Sequence, residues 1–299
     1  MKKIAYLITA LLLSTTAWAQ NVQSDCNTVF GIASVSQTSI PAAAFEGKFS
    51  VSADKMVKFS PGNLRYAGCP TSGYFYFAPN QWEYLAHTYC NCTEGNADTD
   101  LFGYGTSGYQ EGLAQDNPPT VCWGEDFDDV ANRMAPRNLY GTNYDWGVQN
   151  PIKYGDKTYD AGLWRTLTKA EWEYLLKQRP NFANLRSAGK VNGVAGMIIL
   201  PDNWVLPDGL SFYPLVSINQ VNLYSQNTYT GEAWTKMQNA GAIFLPAALN
   251  GSVAYMTATQ ENTFTMYRME FANDAVDPGT DFIKNKNDRS AVRLVQDCK

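Results

Sequence analysis

From Asn80 to Asn150 the chain is dense in Gly, Asp and Asn and holds no sustained hydrophobic period. A loop region of that length inside a domain is unusual, and it signals a functional or disulfide-tied excursion from a frame built by the flanking sequence. Cys90, Cys92 and Cys122 lie within it, and Cys26, Cys69 and Cys298 bring the total to six. An even number of cysteines in an exported chain reads as up to three disulfides, with the connectivity open. A metal reading would want C-x-x-C pairs or histidines at ligand spacing. Cys90-Asn91-Cys92 is a C-x-C, and His87 is the only histidine. We therefore expect bridges, with no metal and no cofactor.

Export is read from the N-terminus. Lys2 and Lys3 precede an apolar run from Ile4 to Leu13, and Ala17-Trp18-Ala19 fits the small-x-small cleavage pattern, so residues 1–19 read as a signal peptide. The run is shorter than the about 20 residues that span a bilayer. The expected location is the periplasm, the cell surface or the extracellular medium, without membrane insertion. Cleavage removes two of the 23 basic residues and none of the 28 acids, leaving a net charge of about −7. Nucleic acid demands a basic footprint and is a poor partner for such a chain.

Residues 20–46, rich in Ser, Thr, Ala and Gln, read as a linker or arm, and residues 47–299 as a single domain. Phe49 and Val51, then Met56, Val57 and Phe59, flank Ala53-Asp54-Lys55 as a hairpin, and Tyr74–Phe77 is a strand candidate. Thr168-Lys169-Ala170-Glu171 is a capping box opening a helix whose apolar face is Trp172, Leu175 and Leu176 and whose end is Pro180. Asn192-Gly193 turns into a strand at Met197–Leu200. A second helix runs from Gly231 to Asn239, with Thr230 as N-cap and Gly241 as stop. Strands follow at Ala242–Leu245, Val253–Ala258, Met266–Phe271 and Ala291–Val295.

Six phrases stand in order along this chain. They are Leu101-Phe102-Gly103-Tyr104-Gly105-Thr106-Ser107-Gly108-Tyr109, Gly141-Thr142-Asn143-Tyr144-Asp145-Trp146-Gly147, the stretch Trp164 to Leu175, Ile199 to Trp204, Ala240 to Ala248, and Ser290-Ala291-Val292-Arg293-Leu294-Val295. Together, over about Gly47 to Val295, they resemble the Fibrobacter succinogenes major paralogous domain family. That family looks like an offshoot of the C-type-lectin-like fold shared with formylglycine-generating enzymes. The resemblance implies an α+β, C-type-lectin-like mixed domain with two helices, short antiparallel strands, long loops and paired N- and C-terminal strands. It also implies that Cys26 and Cys298 meet, leaving Cys69, Cys90, Cys92 and Cys122 for two further bridges. One departure stands out: Tyr255-Met256-Thr257-Ala258 replaces a Tyr-Trp-Ser-Ser-like phrase of many relatives, so a role for that Trp is not carried over.

Formylglycine-generating enzymes work through cysteines near the end of the domain. Here no cysteine lies between Trp123 and Asp297, and Cys298, beyond the last strand, is not expected to line a cleft. The calcium-binding phrases of sugar-binding C-type lectins are missing. Asn96, Asp98 and Asp100 alternate like a calcium loop, but Leu101 stands where Gly is wanted and Ser107 where Glu is wanted, so a solvated turn is expected. Glu125, Asp126, Asp128 and Asp129 read as a surface acidic cluster, and His87, with no evident partner, as structural. The glycosylation patterns at Asn91 and Asn250 read as accidental in a chain of bacterial character.

The expected function is a non-enzymatic surface or periplasmic binding module for an unknown extracellular glycan or protein. The rival is an enzyme, or an inactive remnant of one, of the formylglycine-generating type. The expected contact face is formed by residues 257–265 and 273–289, with Tyr255, Thr257, Tyr267, Asn285, Asn287 and Arg289 as ligand-binding candidates.

Overall fold

The computed structural model describes residues 46–68, 73–86, 98–109, 135–217, 220, 222–247, 252–271 and 278–298. The signal peptide, the arm up to residue 45, the acidic cluster at Glu125–Asp129, His87, Asn96, the asparagines of both glycosylation patterns and all cysteines but Cys298 lie outside these residues.

The two helices the sequence predicts both form. Thr168 and Glu171 make the reciprocal capping box at the start of α2 (Lys169–Glu173), the helix being preceded in the chain by a one-turn helix α1 (Trp146–Gln149). The α geometry then gives way to a π turn over Tyr174–Gln178 that carries Leu175 and Leu176 inward. Another single turn, α3 (Leu223–Gln226), precedes α4 (Gly231–Asn239). Thr230 accepts from the Ala233 amide at its start, and Gly241, at φ 98°, takes the left-handed conformation that stops it.

Among the described residues the strands form four small sheets. The first orders β1 (Phe49–Ser50), β2 (Met56–Phe59), β16 (Leu294–Asp297) and β8 (Arg165–Thr166). The N-terminal hairpin therefore lies against the C-terminal strand, with Phe59 opposite Val295. The second sheet orders β11 (Thr228–Tyr229), β9 (Arg186–Val191), β10 (Val194–Ile199) and β12 (Ile243–Pro246). The third is the meander β13 (Val253–Gln260), β14 (Thr265–Phe271), β15 (Gly279–Asn285). The fourth orders β5 (Asp98–Thr99), β3 (Leu64–Ala67), β4 (Tyr74–Phe77), β6 (Ile152–Tyr154) and β7 (Lys157–Tyr159). The architecture is α+β, dominated by sheet. Among the described residues no helix is long and apolar enough to cross a membrane.

The phrase Gly141 to Gly147 joins the long loop region to the first sheet. Asp145 is fully buried and accepts from both the amide and the hydroxyl of Thr166, at 2.8 and 2.9 Å, which fixes β8. The Trp146 indole donates to the Thr106 carbonyl at 3.0 Å. A Cβ at Gly147 would lie 2.5 Å from the Trp164 Cβ and carbonyl, so only glycine lets α1 pass this close to the residue that leads into β8. Phe102 and Tyr104 are wholly buried in the same aromatic layer. The described part of the loop excursion is thus nailed down by aromatic burial, not by periodic structure.

Three expectations need correction. Asp98 and Asp100 are not a solvated turn: Asp98 sits in β5 and accepts from the Tyr76 hydroxyl at 2.7 Å, while Asp100 is buried and accepts the Leu85 amide at 2.6 Å. The second expected contact segment holds a strand, β15, where a loop was read. The last strand begins at Leu294, not Ala291, which makes only an isolated bridge to Tyr255.

Candidate functional site

The six expected ligand residues do not converge on one accessible face. Tyr255 has no exposure and donates its hydroxyl to Asn63 Oδ1 at 2.9 Å, so its ring offers no surface to a sugar. Thr257 is equally buried and donates to the Tyr267 carbonyl at 2.7 Å. Both fall inside β13, which is buried on both faces from Tyr255 to Ala258. Tyr267 is half-buried under the Lys169 ammonium, 4.4 Å from its ring centre. Asn285 is exposed at the end of β15, and Asn287 and Arg289 are half-buried on the turn that follows. Between them Lys286 is buried, donating to the Ala135 carbonyl and to Gln260 Oε1, both at 2.8 Å. Burial pulls its pKa down to about 8.

A cavity opens instead along the first sheet. It measures about 580 Å³ and is walled by Lys48, Lys58, Tyr140, Leu163, Trp164, Arg165, Gln296, Asp297 and Cys298, with Gly141, Val148 and Gly162 between them. β16 and β8 are neighbours, with Val295 opposite Arg165, and this pairing brings the end of the chain beside the segment before α2.

The polar side of the cleft is a closed ionic network. The Arg165 guanidinium donates to both oxygens of Glu171 at 2.8 Å, and through Nε (3.0 Å) and Nη2 (2.6 Å) to Asp297 Oδ1. Lys55 lies 3.3 Å from Glu171 and 3.4 Å from Asp297. Both cations also stand over the Tyr140 ring, at 5.2 and 5.3 Å from its centre, and Lys55 donates to the Tyr140 hydroxyl at 3.3 Å. Burial works to raise the Glu171 pKa, but the Arg165 hydrogen bonds and the Thr168 amide outweigh it and hold the carboxylate below its usual range. Asp297 is depressed by the same cations against its own partial burial. Burial acts to lower the pKa of Arg165, yet its two carboxylates raise it overall. Asp145, behind this network, is pushed by burial up to about 6 in spite of the donors around it.

Cys298 lines this cleft, contrary to the expectation that a thiol beyond the last strand would not reach one. Its amide donates to the Met56 carbonyl at 2.9 Å, which extends the β2–β16 pairing and carries the side chain to the cleft wall. Its thiol is unbridged, and Cys26, the partner the resemblance implies, lies outside the described residues. Burial raises its pKa despite the nearby Lys48 and Lys58 ammonium groups. A raised thiol pKa means less thiolate at neutral pH and a sluggish nucleophile. In fully reduced protein, iodoacetamide labelling followed by peptide mass mapping should show Cys298 reacting more slowly than a solvent-exposed thiol at about pH 8 and gaining rate at higher pH. Rapid labelling at neutral pH would mark it as activated.

Among the described residues no cluster of His, Cys, Asp or Glu is placed to hold a metal ion. The cleft was not found from the sequence because its wall combines residues from Lys48 to Cys298, and only the β2–β16–β8 pairing brings them together. No family model, curated protein or solved structure matches this chain.

Proposed function

We propose that the chain is an exported, non-enzymatic binding module of C-type-lectin-like architecture, whose contact face is the cleft beside β8 and β16 and whose ligand is an extracellular glycan. Support for the architecture comes from the α+β content, the pairing of the N-terminal hairpin with the C-terminal strand, the two capped helices and the long aromatic-anchored excursion. The observation that carries the function is Tyr140. Its ring is half-exposed on a cleft whose carboxylates are already satisfied by Arg165 and Lys55. Groups so engaged are poor at moving protons but rigid enough to present an aromatic face. Lys48, Gln296 and the Trp164 wall add donors and apolar area for a polar ring.

A glycan array with mature protein tests this, followed by Tyr140→Ala. Loss of affinity by about tenfold or more in a variant that melts like the wild type is expected. Undiminished affinity places the contact face elsewhere, and loss in the triple alanine variant of Asn285, Asn287 and Arg289 would place it on the turn after β15. A protein partner in pull-down with no glycan bound would replace the ligand class. The rival reading, a formylglycine-generating-type enzyme, is favoured by one observation, the presence of Cys298 on the cleft. Turnover abolished by Cys298→Ser would establish it.

A further inference from the structure

A second cavity, of about 390 Å³, lies away from the cleft and is lined by Arg65, Trp82, Glu83, Tyr84, Leu85, Val194 and Ala247. Its back wall is unusual for its arginine. Arg65 is only 5% exposed, and Nη1 donates to Glu83 Oε2 at 3.1 Å. Nε and Nη2, the two nitrogens that form the lateral fork of a guanidinium, make no hydrogen bond of good geometry; the one polar neighbour is the Tyr76 hydroxyl, opposite Arg65 on β4, which already donates to Asp98. Elsewhere in this protein the same edge is used: Arg165 and Arg268 each turn Nε and Nη2 onto a single carboxylate oxygen.

A second arginine repeats the pattern. Arg293 is 1% exposed, its Nη1 reaches Asn63 Oδ1 at 3.4 Å, and its Nε and Nη2 are again unpartnered, as is Asn63 Nδ2. Asn63 and Arg65 are two residues apart where the chain enters β3 and so share a face, while Arg293 lies behind them on the segment that hydrogen-bonds to Leu64. Arg293 forms no ion pair among the described residues; tyrosines Tyr255 and Tyr154 are its electrostatic neighbours. The carboxylates nearby are engaged. Glu83 accepts from Asn80 at 2.6 Å as well as from Arg65, and Asp100 accepts from the Leu85 amide. Buried polar groups are normally satisfied, and a buried guanidinium fork is shaped for the two oxygens of an oxyanion.

We propose that this cavity binds a small organic carboxylate, its head on the Arg65 fork with the Arg293 charge behind it, and its apolar body between Trp82, Leu85, Val194 and Ala247. The fork is shut off from water in the ligand-free protein, so entry requires the half-buried Trp82 and Tyr84 side chains to shift. The apolar walls select a carboxylate with a flat or aliphatic body over an inorganic oxyanion.

The test uses benzoate, acetate and phosphate, with chloride as the ionic-strength control, in calorimetric titration and thermal melting of the mature protein. Saturable binding of one benzoate per chain, tighter than acetate, is expected. Arg65→Met should weaken it by about tenfold or more, and Trp82→Ala should weaken benzoate while leaving acetate unchanged. If Arg65→Met does not fold, 4-bromobenzoate soaked into crystals of the wild type decides, with bromine density expected beside Trp82 and the carboxylate on Arg65. Absence of saturable binding, bromine density elsewhere, or benzoate affinity untouched by Arg65→Met would each overturn the site. Tighter binding of phosphate than of benzoate would overturn the carboxylate assignment. Binding at the cleft is read separately through Tyr140→Ala, which should leave benzoate affinity unchanged.

Discussion

Trp172→Ala is expected to destabilise the protein by about 3–5 kcal/mol, measured by urea or thermal unfolding. The ring is fully buried where α2 meets the first sheet, 5.8 Å from the Phe59 ring and 6.5 Å from that of Tyr255, so its removal opens a cavity among elements from both ends of the chain. Trp172→Phe should behave quite differently. The Trp172 Nε1 is buried with no hydrogen-bond partner, so the wild type already bears the desolvation of an indole N–H. Phenylalanine keeps most of the apolar volume and removes that N–H, and its cost should be about 1 kcal/mol or less. Equal losses for the two variants would show that shape, and not the unpaired N–H, governs the site.

Trp172 was legible in the sequence because the capping box at Thr168 sets the helix phase and the i, i+3, i+4 spacing then names the buried face. What the local pattern did not show was the π turn over Tyr174–Gln178, which closes through the Arg179 amide to the Tyr174 carbonyl at 2.8 Å. The hairpins were legible for the same reason as the helices: turn residues such as Asn192-Gly193 act over a few positions. β15 was missed because Thr280-Asp281-Phe282-Ile283-Lys284-Asn285 mixes exposed polar and apolar residues at a sheet edge, and edge strands carry little periodicity. Tyr255 was misplaced because an aromatic in a strand shows its face only through its partners, here Asn63 and Trp172, both distant in sequence. The cleft was opaque for a stronger version of that reason. Lys55, Tyr140, Asp297 and the Arg165–Glu171 pair belong to four separate stretches, and no spacing rule links these before the termini pair.

Arg165→Ala should cost about 2–4 kcal/mol at neutral pH, since it strands the Glu171 carboxylate, whose side chain is 11% exposed, with Lys55 as its remaining cation. The loss should also depend on pH in a defined sense. Glu171 and Asp297 have folded pKa values below their ordinary values of 4.5 and 3.8. Their contribution is therefore present above those ordinary values and is lost as the pH falls through the depressed ones. Asp145 works with the opposite sign. Its folded pKa of about 6 lies above the ordinary 3.8, so its proton stabilises the fold at low pH, and that contribution is lost as the pH rises through about 6. Arg165 also lowers the Asp145 pKa, so removing the guanidinium makes the ionised, buried Asp145 costlier near neutrality. Both effects act in one direction: the stability gap between wild type and Arg165→Ala should be widest near neutral pH, narrow as the pH falls through about 6, and narrow again below about 4.5, where the depressed carboxylates take up protons. Arg165→Lys keeps the charge but loses the fork, and should recover part of the pH dependence and little of the geometry. Arg165→Met removes the charge and keeps much of the volume. Should Arg165→Met match the wild type across the whole pH range, the network would be packing alone, and the electrostatic account of this cleft would fall.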